Sequence, residues 1–154
     1  MAEGYATAAT LHELTSMPAV VAFNAGNLAP VAQTYRQLHP DRPIYIAGDN
    51  DHRREAEGKP NVGREKADEA AVAIGGFVLL PAFAQQDAGS DWNDLVRGQG
   101  RDAARQQLMA GIAIAEREQV VRSHVVSRDE GPSPSYASAL AHSRDRMQEV
   151  ELER

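Results

Sequence analysis

The chain of 154 residues contains no cysteine, which excludes disulfide bonds and any zinc site built from cysteine ligands. Aromatic residues make up 5% of the sequence, so a core has to be built mainly from alanine, valine, leucine and isoleucine. No apolar run approaches the length of a membrane span, and the N-terminus lacks a basic segment followed by an apolar one. We therefore predict a cytoplasmic protein that has no membrane partner.

An excess of positive charge is also missing. The formal net charge is −6, which argues against a freestanding nucleic-acid binder, because affinity for phosphate backbones comes largely from lysine and arginine. This balance does not exclude metal-dependent phosphate chemistry. With 42% hydrophobic and 25% charged residues, the composition is typical of a soluble globular protein, and the length suits a single domain.

Short apolar runs alternate with helical patterns in the first half of the chain. Predicted strands cover residues 19–23, 44–47 and 77–81, and predicted helices cover Tyr5–Thr15, residues 28–38 with Asn27 as N-cap, and residues 63–74. The last of these helices is predicted to end at Gly75-Gly76 and to turn inward the residues Ala67, Ala70, Ala71 and Ile74. Strands that alternate with helices imply βαβ units with parallel strands. The sequence therefore predicts an α/β fold with a mostly parallel sheet flanked by helices.

The second half of the chain has a different character. Residues 102–126 have high helix propensity, whereas the stretch that follows is rich in proline, serine, glycine and charge. We therefore expect a domain at residues 1–100, an accessory helix at residues 101–126 and a flexible charged tail at residues 127–154.

The stretch "IYIAGDND" ends a buried strand in Asp49 and Asp51, where ligands of parallel sheets commonly bind. A calcium loop of the EF-hand type does not fit, because Arg54 and Pro60 occupy its glycine and glutamate positions. A haloacid-dehalogenase pattern does not fit either, since Arg53 stands at the threonine position. An ordinary solvated turn remains the alternative.

Further acidic residues lie next to other predicted elements. Glu3 precedes the first helix, and Asp91 and Asp94 follow the third predicted strand. Taken singly, Glu3 is typical of a terminal charge, and Asp91 of a helix N-cap with Trp92 packed nearby. Together these residues predict carboxylates at several strand ends.

The order "AEGYATA", "VVAFNAGNL", "IYIAGDNDH", "NVGREKA" and "GSDWNDL" resembles the Toprim domain over about residues 2–98. The likeness is greatest to DNA primases and primase-like modules of plasmids and mobile elements. It implies a Rossmann-like sheet and a Mg²⁺ or Mn²⁺ site. The residues that match the family's metal ligands are Glu3, Asp49 and Asp51, with Asp91 at the later acidic motif and Asn93 and Asp94 as weaker candidates.

This resemblance implies a chemistry that the residue types can support. Converging carboxylates repel one another unless a cation neutralises them, and hard oxygen ligands suit Mg²⁺ or Mn²⁺. The implied function is nucleotidyl or phosphoryl transfer with Glu3, Asp49 and Asp51 as catalytic residues, and Glu3 also as a general acid or base. A Toprim-type nuclease and an inert docking module remain open. The implied partners are DNA and nucleotides, with other domains or proteins supplying most of the DNA contact.

Basic residues follow the aspartates in the sequence. We predict that Arg64 and Lys66, near the start of a helix, contact phosphate, since helix N-termini also favour anions. For Arg53 and Arg54, a position in a solvated loop explains the charge as well as a phosphate contact does. His52 could touch a phosphate or the metal.

The start of the sequence departs from the family's pattern. Because only Met1 and Ala2 precede Glu3, the family's first strand is predicted to be truncated, and two residues are expected to be too few to pair with their neighbours. Glu3 is then expected to be mobile and the exposed sheet edge prone to association.

Overall fold

A computed structural model describes residues 1–129, with side chains described as far as Arg122. The helices are α1 (Tyr5–Thr15), α2 (Leu28–Leu38), α3 (His52–Ala56), α4 (Val62–Ile74), α5 (Trp92–Gln99) and α6 (Arg101–Asp129), with a 3-10 turn at Ala25–Asn27 before α2. The strands are β1 (Tyr45–Ala47) and β2 (Phe77–Leu79), paired in parallel with Tyr45 opposite Phe77. The predicted α/β class with a parallel, helix-flanked sheet is confirmed.

Helices cover both faces of the sheet. Successive side chains of a strand point to opposite faces, and each face packs against an apolar cluster of its own. Ile44 and Ile46 pack against a cluster from α2 and α4 that contains Leu28, Ala32, Ala67, Ala70, Ala71 and Ile74. Ala47 and Leu79 face a cluster from α1, α5 and α6 that contains Ala8, Leu11, Leu14, Trp92, Leu95, Ala104, Leu108 and Ile112. The inward face of α4 consists of the residues predicted for it. Because most of them are alanines, this helix can approach the sheet closely.

Met1 and Ala2 lie between the two neighbouring segments of the sheet and pair with both. The Ala2 N–H donates to the Val20 carbonyl at 2.9 Å, and the Ala22 N–H donates to the Ala2 carbonyl at 2.9 Å. On the other side, the Ala47 N–H donates to the Met1 carbonyl at 2.8 Å. The expectation that two residues are too few to pair is therefore wrong, since each uses its backbone groups in a parallel ladder.

The strand predicted at residues 19–23 is reduced to a single bridge, in which Val21 pairs with Ala2. Phe23 ends the segment with a left-handed φ of 68° and is 78% exposed, which contradicts the predicted buried strand. Ala22 is buried as expected.

The entry to α2 differs from the prediction in its capping residue. Asn27 makes no side-chain cap, whereas the Asn24 side chain accepts a hydrogen bond from the Asn27 N–H at 3.0 Å. The Asn27 side chain instead donates to the Ala22 carbonyl at 3.0 Å. Two asparagines thus share the turn that sequence analysis assigned to one.

Helix α6 runs through the boundary predicted at residue 126 and continues to Asp129. Its first part belongs to the compact unit Met1–Glu116, which contains both apolar clusters. In the second unit, which begins at Arg117, Arg122 and Glu118 form an ion pair with 3.6 Å between nitrogen and oxygen. The rest of the predicted tail, residues 130–154, lies outside the described residues. Every helix within residues 1–129 falls short of the length and apolar character needed to cross a membrane.

Candidate metal centre

Glu3 lies at the same edge of the sheet as the Asp49-Asn50-Asp51 turn. Ala2 is bridged in parallel to Ala47, so the residues that follow each of them leave the sheet in the same direction. The backbone pairing of Met1 and Ala2 therefore positions Glu3 beside the segment that carries Asp49. Residues separated by more than forty positions in the sequence are brought together in this way.

The aspartate turn is packed directly against the first turn of α4, and glycine makes this approach possible. A β-carbon on Gly63 would lie 2.7 Å from the carbonyl oxygen of Asp49 and 2.9 Å from its β-carbon. A β-carbon on Gly48 would lie 2.6 Å from the β-carbon of Ala67. Larger residues at either position would push α4 away from the turn.

Two buried asparagines fix the backbone of the aspartate turn. Asn50 is 7% exposed, and its side chain donates to the Pro81 carbonyl at 2.8 Å. The Asn61 side chain donates to the Asn50 side-chain oxygen at 2.9 Å and accepts from the Asp51 N–H at 3.0 Å. Asn61 also caps α4 through the N–H of Arg64 at 3.3 Å. The turn is thereby tied to the end of β2 and to the start of α4.

The two predicted phosphate contacts have different surroundings. Arg64 extends towards the aspartate turn, where its Nη2 lies 3.3 Å from the Asn50 side-chain oxygen and 3.7 Å from a Glu55 carboxylate oxygen. The Arg64 Nε is buried and has no hydrogen-bond partner among the described residues. Lys66 instead pairs with Glu69 on its own helix at 2.6 Å, with both side chains substantially exposed. Arg64 is therefore the basic residue that the structure brings to the turn.

His52 forms part of the wall next to the turn. Its ring stacks on Phe83 with 5.3 Å between ring centroids and 14° between ring planes. Its Nδ1 lies 3.4 Å from the Asn50 carbonyl oxygen, and its Nε2 is buried with no partner among the described residues. A buried nitrogen of this kind can bond a ligand that enters the site.

Asp91 acts as the N-cap of α5, as the alternative interpretation of this residue predicted. One of its oxygens accepts from the Asp94 N–H at 2.7 Å, and the other accepts from the Asn93 side chain at 3.2 Å. Asp94 in turn accepts from the Ser90 N–H at 3.1 Å. Trp92 is 1% exposed and anchors the helix in the core. Hydrogen bonds within the first turn of α5 therefore already use both oxygens of the Asp91 carboxylate.

The electrostatic centre of these acids is Asp49. Burial, as the largest cause, and nearby negative charges together raise the pKa of its carboxyl to about 6. These charges, in decreasing order of effect, belong to Glu3, Asp91, Asp51 and Asp94. The structure thus joins the acids of separate segments in one negative field.

The sequence model of the Toprim domain matches residues 1–102, which carry the whole of this arrangement. The chain belongs to the Toprim family. It is also similar to two Escherichia coli proteins named DNA primase TraC, with 48% identity over 82 residues and 45% identity over 84 residues. These matches cover 53% and 54% of this chain but 8% and 6% of the two relatives. No solved structure matches the chain.

The acidic side chains of this Toprim domain interact electrostatically, but they are not close enough together to form a metal-binding cluster. Within the part of the chain that the structure describes, no group of three or more histidine, aspartate or glutamate side chains is arranged to hold a metal ion. The roles predicted for Glu3, Asp49, Asp51 and Asp91 as ligands therefore stay predictions.

Sequence analysis missed two residues that shape this Toprim site. Asn61 precedes a clear helical pattern, and asparagine before such a pattern is a recognised N-cap signal that could have identified it. Phe83 lies in an irregular segment after β2, where no periodicity indicates that its ring reaches His52.

Proposed function

We propose that this Toprim domain holds Mg²⁺ or Mn²⁺ with Glu3, Asp49 and Asp51. The proposal rests above all on Asp49, whose carboxyl is both partly buried and surrounded by other acids. Such a group is costly to ionise, and a divalent cation among the carboxylates would remove that cost. The donor atoms fit, since all are hard oxygens of the kind that Mg²⁺ and Mn²⁺ prefer.

The reaction we propose is phosphoryl or nucleotidyl transfer in a DNA primase-like protein of plasmid or mobile-element replication or conjugation. When bound, the cation would neutralise phosphate oxygens and orient them for in-line attack. Arg64 would bind a phosphate oxygen next to the aspartate turn, and Glu3 would accept or donate a proton. His52 would offer its buried Nε2 to the same substrate. The similarity to the TraC primases favours this reaction class.

The domain is proposed to work with other parts of a replication apparatus. It spans less than a tenth of the length of the TraC relatives, and the chain carries a net charge of −6. A surface of this charge is a poor match for a long stretch of nucleic acid. We therefore expect other domains or proteins to supply most of the DNA contact. A cytoplasmic location stays a prediction.

The test is a titration with Mg²⁺ followed by thermal unfolding. A ligand that binds only the folded state stabilises it by RT ln(1 + [L]/Kd), about 2.7 kcal/mol at a hundredfold excess over Kd. We expect the wild-type midpoint to rise, and the double variant Asp49→Asn, Asp51→Asn to lose this response. Asp68→Asn, an exposed acid on α4, is the control and should respond as wild type does.

A second assay separates the possible activities. Labelled DNA and nucleotides with Mg²⁺ should yield primers that disappear in Glu3→Gln. Shortened DNA instead of primers would favour a Toprim-type nuclease with the same carboxylates. A wild-type midpoint that stays constant across millimolar metal would favour an inert docking module, the alternative supported by the lack of a closed acidic cluster among the described residues.

A further inference from the structure

Two aromatic side chains are left in solvent at the edge of the sheet that carries the acids. Tyr5 is 73% exposed and Phe23 is 78% exposed, whereas every other aromatic side chain within residues 1–122 is buried or half-buried. Single exposed apolar residues are common on protein surfaces, so exposure alone does not indicate a function. The position of both rings and the backbone of Phe23 do indicate one.

The parallel pairing of the sheet places Phe23 beside the acidic site. Val21 and Ala47 are each bridged in parallel to Ala2. Phe23 and Asp49 lie two residues beyond these bridges, so they leave the sheet at the same edge. With about 4.8 Å between neighbouring strands, the two backbones are about 10 Å apart. A nucleotide whose phosphate lies beside Asp49 can therefore extend its base towards Phe23.

Tyr5 belongs to the same edge of the sheet. It is the first residue of α1 and follows Glu3 and Gly4 along the chain. The space next to Gly4 is open, since a β-carbon added there would meet nothing within 4 Å. Because Phe23 leaves the sheet beside the segment of Glu3, both exposed rings border the surroundings of this acid.

The backbone of Phe23 adopts a conformation that disfavours a bulky side chain. Its φ of 68° lies in the left-handed region, where glycine and asparagine are usual. Hydrogen bonds on both sides hold this conformation. The Ala22 N–H donates to the Ala2 carbonyl at 2.9 Å, and the Asn24 side chain accepts from the Asn27 N–H at 3.0 Å. Phenylalanine here neither suits the backbone nor adds to the core, and strained residues of this kind cluster at ligand sites.

An exposed aromatic ring beside a phosphate site suits an unpaired nucleobase. Every base has a flat face that stacks on an aromatic side chain, and proteins that bind single strands place such rings next to groups that hold the phosphates. In this domain the proposed metal ion and Arg64 would hold the phosphate. A base within a duplex is already stacked between its neighbours, so an unpaired base is the one that can use the ring.

We propose that Phe23 stacks on an unpaired base of single-stranded DNA whose phosphate lies at the aspartate turn, with Tyr5 bordering the same base. This inference rests on the proposed function, because the metal ion of that proposal holds the phosphate. Phe23 thereby makes the domain select single strands over duplexes. Binding requires Mg²⁺, since the acids at this edge repel phosphate when no cation is present.

The test measures binding of the full chain to a short fluorescent oligothymidine in millimolar Mg²⁺ by fluorescence anisotropy. Phe23→Asn should bind about tenfold more weakly than wild type, because one base loses its stacking partner, and Phe23→Trp should bind at least as tightly as wild type. Tyr5→Ala should also weaken binding, since it removes the second ring. A strand with abasic sites keeps the phosphates without the bases, so wild type and Phe23→Asn should bind it equally.

A matched control and a second measurement separate lost binding from lost folding. Leu38→Ser removes an apolar side chain that is 70% exposed at the end of α2 that precedes β1, away from the acidic edge, and should bind DNA as wild type does. Asparagine suits the left-handed conformation at position 23, and little buried surface is lost there. The thermal midpoint of Phe23→Asn should therefore equal or exceed that of wild type.

Equal binding of the oligonucleotide by wild type and Phe23→Asn would overturn the proposal. So would the absence of any binding by wild type, or a loss in Phe23→Asn that affects free nucleoside triphosphates but not the strand. In each of these cases, stabilisation by Mg²⁺ that disappears in the double variant Asp49→Asn, Asp51→Asn would still support the proposed metal site. Strand binding that falls in Phe23→Asn but does not depend on Mg²⁺ would support the stacking and refute that metal site.

Discussion

Replacing Asp49 by asparagine should stabilise the metal-free protein. Because the pKa of Asp49 is higher in the folded state than its ordinary value of 3.8, the folded state binds the proton more tightly than the unfolded state does. Ionising the carboxyl at neutral pH therefore costs stability. Asparagine keeps the shape of the side chain and removes the charge, so this cost should disappear.

The size of the effect follows from the pKa of Asp49. A rise from 3.8 to about 6 corresponds to a limit of about 3 kcal/mol, at about 1.4 kcal/mol for each pH unit. The carboxyl is partly exposed, so solvent screening reduces the expected gain to about 1 kcal/mol. For a domain of this size, that gain raises the melting midpoint by about 3–5 °C.

The assay is thermal unfolding in a chelating buffer across a pH series. The advantage of Asp49→Asn should be small at pH 4, grow as the pH rises from about 4 to about 6, and stay complete at pH 7.5. The control Asp68→Asn makes the same change of net charge at an exposed position and should show no such growth. A variant that melts at or below the wild-type midpoint at pH 7.5 would refute the reasoning, as would an advantage that persists undiminished at pH 4.

Three further predictions concern the surroundings of the aspartates. Asn61→Ala should lower the free energy of unfolding by about 2 kcal/mol, because Asn50 and the Asp51 N–H lose their hydrogen-bond partner. The measurement is urea unfolding with and without Mg²⁺, which should also show a smaller stabilisation by the metal. Gly63→Ala should displace the turn and reduce the metal response, whereas Gly98→Ala, where a β-carbon meets nothing within 4 Å, should add about 0.5–1 kcal/mol in the same assay. Lys66→Ala should change stability by less than about 1 kcal/mol, so a loss of primer synthesis in this variant would reveal a phosphate contact.

The parts of the fold that sequence analysis predicted well are those with strong local patterns. Helix α1 has the predicted ends, and the inward face of α4 consists of the predicted residues Ala67, Ala70, Ala71 and Ile74. These helices carry their apolar residues at helical spacing, and Gly75 supplies the stop of α4 with a left-handed φ of 61°. Such local patterns predict the structure correctly because the apolar face that defines the helix in the sequence is also the face that packs in the core.

The errors arise where a neighbour decides the structure. The strand expected at residues 19–23 shrinks to a bridge at Val21 because strand length depends on the segment beside it, which the local pattern does not contain. The reverse error concerns Met1 and Ala2, which were expected to be too short to pair. Their neighbours on both sides supply the partners, so two residues suffice.

The middle residue of the aspartate turn is a part of the candidate site that the sequence pattern left undetermined. A pattern of two aspartates one residue apart leaves the residue between them unspecified, yet Asn50 is buried and both donates to Pro81 and accepts from Asn61. An aspartate there would keep the acceptor and lose the donor, adding a buried charge to a field that already raises the pKa of Asp49. The position therefore demands a neutral side chain with both functions. A neutral asparagine there therefore adds no further negative charge beside Asp49.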